Sequence, residues 1–62
     1  PFEYLNSYRI ARSKDLMIQK PDLTLSQVGR ACGYDSLNYF STVFRRFEGM
    51  SATHYRKLHG VG

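Results

Sequence analysis

Between Ser36 and Phe47 the large apolar residues recur with a single period. Phe40, Val43, Phe44 and Phe47 stand at i, i+3, i+4 and i+7, the spacing that gathers side chains on one face of an α-helix. Asn38, Ser41, Thr42 and Arg45 repeat that spacing two residues earlier and fall on the opposite face. Tyr39 and Arg46 flank the polar side, and Leu37 sits at its N-terminal edge. The run predicts an amphipathic helix over 36–47, with Asp35 as N-cap and Gly49 as the stop. A chain of 62 residues buries only about 60% of the surface its unfolded form exposes. Its five Tyr and four Phe must therefore supply most of a thin core.

The remaining punctuation is also helical. No segment alternates apolar and polar residues for long, so strands are not expected. A long first helix is predicted over about 2–19, with Pro1 in a first-turn position and Lys20-Pro21-Asp22 as the stop. Its apolar residues form two strips, one of Phe2, Leu5, Ile10, Leu16 and Met17, the other of Tyr4, Tyr8, Ala11 and Ile18. Either the helix lies between two partners, one of them a missing neighbour, or one strip is merely exposed. A second helix is predicted from Leu25 to Cys32. Thr24 and Gln27 form its capping box, and Gly33 supplies a left-handed residue after it. Leu25, Val28 and Cys32 share its inner face. A short fourth helix, 52–58, is capped by Ser51 and anchored by Tyr55, with Arg56 and Lys57 complementing its C-terminal dipole. The expected fold is all-α: a long linker helix, a helix-turn-helix unit over 25–47, and a short C-terminal helix, together one subdomain over 1–62.

Charge and chemistry narrow the function classes. Nine Lys and Arg against five Asp and Glu leave a net charge of +4 and a pI near 9.6, a balance that favours nucleic acid, anionic membrane surfaces or acidic proteins. Cys32 has no partner for a disulfide, which points to a reducing, cytoplasmic setting, and its inward position makes it a small hydrophobe rather than a nucleophile. His54 and His59 lack the further close ligands that zinc needs, and the five Gly form no phosphate loop. No apolar run approaches the length of a membrane span. No enzyme site, cofactor or metal is expected. Because the chain opens on Pro1 rather than Met, it reads as a piece of a longer protein.

Two helices joined by a tight Gly-containing turn can place the second in a DNA major groove. There Asn38 can pair bidentately with adenine, Ser41 and Thr42 can reach base edges, and Leu37 can meet a thymine methyl. Arg45 can read guanine or a phosphate. Arg46, Tyr39 and the N–H groups opening the helices suit phosphates. Periodicity alone fits equally the solvated face of an ordinary amphipathic helix.

A longer pattern bears on that choice. Pro1-x-x-Tyr4-Leu5, Arg9-Ile10, Leu16-Met17, Leu25, Val28 and Gly33-Tyr34 lead to Tyr39-Phe40-Ser41-x-x-Phe44-Arg45-Arg46-Phe47-x-Gly49-Met50-Ser51, then Tyr55-Arg56. In order and spacing, this resembles the second half of the DNA-binding domain of AraC/XylS-type transcription regulators. The resemblance implies a bacterial regulator with two helix-turn-helix units joined by a linker helix, here 2–19, each unit reading one major-groove segment of double-stranded DNA. It implies DNA contacts from Ser36, Leu37, Asn38, Ser41, Thr42 and Arg45, possible partners among RNA polymerase subunits, a cytoplasmic, nucleoid-associated location, and dimerisation through a missing domain, with the fragment itself monomeric. Five residues depart from the family pattern, one being Tyr34, where Phe is usual. Ser13 and Gly29 stand where Ala is usual, Thr42 where Arg is frequent, and Ala52 where Pro is usual. Gly29 is expected to weaken the second helix by about 1 kcal/mol against Ala, and Thr42 to shorten the basic reach toward DNA. Two other readings stay open: a module docking polymerase or another acidic partner, and a targeting domain of a DNA-acting enzyme.

Overall fold

In a computed structural model the chain forms α1 (Phe2–Gln19), α2 (Leu25–Ala31), α3 (Leu37–Glu48) and α4 (Ala52–His59). Residues 2–59 are described, without the side chain of Phe2, so the Pro1 and Phe2 ring expectations lie outside the described residues. The all-α, four-helix expectation holds, and among the described residues there is no strand. The long α1 packs against each of the other three helices, and α3 sits between α2 and α4.

The inward stripe of α1 is Asn6, Ile10, Ser13 and Met17, spaced i, i+4, i+7 and i+11. This corrects the expected apolar strip, since Leu5 is 44% exposed and Leu16 only half-buried. Two polar residues can occupy the stripe because each is satisfied. The Ser13 hydroxyl donates to the Ile10 carbonyl at 2.7 Å, and Asn6 Oδ1 accepts from the Tyr34 hydroxyl at 2.8 Å. The second strip, Tyr4, Tyr8, Ala11 and Ile18, lies entirely on the exposed side.

Both ends of α2 are closed. Thr24 and Gln27 exchange the two bonds of a capping box. At the other end Cys32 is the C-cap, so the helix stops one residue sooner than expected. Tyr34 N–H then bonds the Gly29 carbonyl and Gly33 N–H the Arg30 carbonyl, with Gly33 at φ 101°. This double closure is a Schellman motif, which turns the chain sharply into α3. Gly29 has a use that helix propensity does not count. A Cβ there would stand 3.0 Å from the Phe40 ring, and Phe40 is fully buried. The missing methyl lets α2 and α3 approach.

The N-cap of α3 is Ser36, not Asp35: its extended backbone places Oγ to accept from Tyr39 N–H at 3.2 Å. The helix therefore starts at Leu37 and continues to Glu48, where Gly49, at φ 75°, ends it. Phe40, Val43 and Phe44 are buried as expected, but Phe47 is 38% exposed, because it reaches the rim of the interface with α1. Ser51 caps α4 through His54 N–H, and that helix extends one residue beyond the expected end, to His59. Arg56 does not serve its own helix end alone. Its guanidinium donates to the carbonyls of Leu23 and Pro21, tying α4 to the α1–α2 loop.

Candidate nucleic-acid interface

The outer surface of α3 rests on a row of rings. Tyr34 tilts against Phe40 (5.5 Å between centroids), Phe40 meets Phe44 edge-on (5.9 Å), and Phe44 meets Tyr55 edge-on (5.6 Å). Offset and edge contacts are the geometries aromatic pairs prefer, each adding about 0.5–1.5 kcal/mol beyond burial, so the row favours this seating of α3. At the far end Lys14 of α1 pairs with Glu48 at 3.1 Å. With its inner side held this way, α3 presents Asn38, Ser41, Thr42 and Arg45 to solvent together, and Leu37, Tyr39 and Arg46 beside them. α3 itself adds no carboxylate to that face, since its one acidic residue, Glu48, is paired with Lys14; Glu3 of α1 borders it beside Arg46.

The exposed residues are not equivalent. The Ser36 oxygen already accepts the Tyr39 amide, which leaves its hydroxyl hydrogen as the free function. The reverse holds at Thr42, whose hydroxyl donates to the Asn38 carbonyl at 3.0 Å. The Asn38 amide group is exposed. Arg46 approaches Glu3 at 3.7 Å, with both side chains 75% exposed, so solvent screens the pair and the guanidinium can leave it easily. Below that pair an open groove of about 210 Å³ separates α1 from α3, floored by Asn6, Val43 and Phe47.

Tyr34 links the turn to everything around it. Its hydroxyl donates to Asn6, its ring edge meets Tyr39 at 5.7 Å, and the Arg9 guanidinium lies 5.5 Å from the ring centre. Burial raises the phenol pKa, with Arg9 opposing, which keeps the donor proton in place at neutral pH. Arg9 also packs against Gly33, where a Cβ would come within 3.1 Å of its guanidinium. Asn6, Arg9 and the loop-binding role of Arg56 were not anticipated as structural residues. Asn6 was detectable, since it completes the register of Ile10 and Met17 at i, i+4 and i+11.

The other chemical candidates resolve simply. Burial raises the Cys32 thiol pKa, with Arg12 and Arg9 opposing, so the group stays protonated and poorly nucleophilic. The His59 ring stacks on Tyr55 at 4.3 Å. Among the described residues no three His, Cys, Asp or Glu gather to hold a metal, and no helix is long and apolar enough to cross a membrane.

A helix capped at both ends, a sharp Gly turn and a second helix with one bare polar face define a helix-turn-helix domain. Residues 1–58 match the helix-turn-helix domain family, and the chain belongs to it, as a domain of the AraC/XylS type. It is 38% identical over 56 residues to the HTH-type transcriptional activator RhaR of Salmonella arizonae, and equally to those of Salmonella paratyphi B and Salmonella newport. These alignments cover 90% of this chain and 20% of each relative, so the chain spans about a fifth of their length. No solved structure matches it significantly. The relatives themselves are named as transcriptional activators.

Proposed function

We infer that this domain binds double-stranded DNA in a sequence-dependent way, with α3 lying in the major groove. One observation carries this reading: the polar face of α3 is exposed, contains no acidic residue of α3, and is backed by an aromatic row packed into the core. Asn38 offers an amide donor and acceptor suited to the N6 and N7 edge of adenine. Ser41, Thr42 and Leu37 reach neighbouring base edges, and Arg45 reads guanine or holds a phosphate. Ser36 stands at the start of the helix, where its free hydroxyl hydrogen suits either a base acceptor or a phosphate oxygen. Tyr39 and Arg46, on the flank, hold phosphates and set the register.

The domain acts as the second of two such units in a longer bacterial regulator working in the cytoplasm. The exposed strip of Tyr4, Tyr8, Ala11 and Ile18 supports that placement, because it leaves α1 apolar on the side turned away from the core. The relatives, being about five times longer, have room for the other unit and a signal-sensing part.

The test is a selection from a pool of randomised duplexes, followed by affinity measurements on the selected sequence. Asn38→Ala should lose about 1–3 kcal/mol of discrimination at one base pair while keeping native helicity. A folded variant with unchanged preference removes Asn38 from the reading surface. Failure of the parent chain to enrich any sequence would overturn sequence-dependent binding altogether.

A further inference from the structure

We propose that Thr42 selects a thymine by its methyl group, within two base pairs of the base read by Asn38, and disfavours guanine at that position. This rests on the reading of α3 as the groove helix. A threonine hydroxyl has one proton to give, and here it goes to the Asn38 carbonyl at 3.0 Å. Guanine offers the major groove two acceptors, N7 and O6, and needs a donor opposite them. Thr42 has none left. The side chain is exposed, so what remains for the groove is a methyl group and the outer lone pair of the oxygen.

Thymine alone among the bases carries a C5-methyl in that groove, and a methyl-to-methyl contact needs no proton from Thr42. The arrangement also explains how two adjacent readers avoid competing. Asn38 and Thr42 are one helical step of four residues apart, about 6 Å along the axis, against a base step of about 3.4 Å. The bond between the Thr42 hydroxyl and the Asn38 carbonyl uses only main-chain oxygen, so the Asn38 amide stays free for its own base. A guanidinium at this position would bring donors for guanine, whereas Thr42 offers a methyl group.

The test uses the 62-residue chain and the duplex it enriches from a randomised pool. Each thymine in that duplex is replaced in turn by deoxyuridine, which removes the methyl and keeps the base pair. One replacement should weaken binding about fourfold, the worth of one buried methyl-sized group. Thr42→Val, which keeps the methyl and loses the hydroxyl, should show the same sensitivity. Thr42→Ser, which does the opposite, should bind thymine and uracil duplexes equally. Position 42 is an exposed helix position, so circular dichroism should show an unchanged fold for both variants. The proposal is overturned if every uracil duplex binds like its parent, or if serine retains the preference and valine loses it. A selected sequence indifferent to uracil defeats this inference alone, whereas no selected sequence defeats it together with groove binding by α3.

Discussion

The two faces of α3 obey different rules. On the inner face Phe40, Val43 and Phe44 are buried among Tyr34, Val28, Ile10 and Met17, and each ring is fixed by the next. On the outer face Asn38, Ser41, Thr42 and Arg45 touch little besides their own helix. Inner residues are bound by volume, since a close-packed interior registers even one methylene. Outer residues contribute little to folding, which leaves their chemistry free to be set by whatever the helix touches. A helix divided this way can change its specificity without changing its fold.

That contrast can be broken most severely from the inside. Phe40→Ala removes the central ring and should cost about 3–5 kcal/mol, measured by urea unfolding; a small fraction of that would mean the ring row does not hold α3. Tyr34→Phe should cost about 1–3 kcal/mol, because it leaves Asn6 Oδ1 buried without a donor. Adding Asn6→Leu should recover most of the loss, and a double variant as unstable as the sum of its parts would deny that the two residues act as a pair. Gly29→Ala sets better helix propensity against overlap with Phe40. With Phe40 unable to yield, a net loss of about 1 kcal/mol is expected, and a rise in melting temperature would show that the interface can open. From the outside, Arg46→Ala should shift stability by less than about 0.5 kcal/mol. It should nonetheless lower the slope of log affinity against log salt by about 0.9, equally on all DNA sequences. An unaltered slope would place Arg46 away from the phosphates.

Cys32 offers a comparison of another kind. Its thiol is buried with a raised pKa, so native protein should react slowly with a thiol reagent at neutral pH, and urea should accelerate the reaction as the core opens. Fast native labelling would indicate that the α2 face opens without global unfolding.

Much of this molecule is written in short-range pattern. The two faces of α3 follow from one repeated spacing, and the capping box of α2, the left-handed glycines and the Ser51 cap follow from local hydrogen-bond chemistry. The departures from expectation share a cause. Asp35 and Ser36 are both good caps by type, and only the backbone conformation decides between them. Asn6 keeps the register of Ile10 and Met17, yet its amide can be buried there only because Tyr34, twenty-eight residues away, supplies its partner. Gly29 reads as a weakness until Phe40 is seen lying across it. The outer face of α3 was legible as a polar surface, but the loss of Thr42's proton to the main chain was not.

The sequence by itself thus determined the helices, their stops, and which side of α3 would face away from the core. These depend on neighbours a few residues apart, where chain geometry leaves little choice. Only the tertiary structure decided which polar groups are buried and which glycine permits close contact. Those outcomes depend on partners brought together by folding, and a linear pattern does not specify their distances.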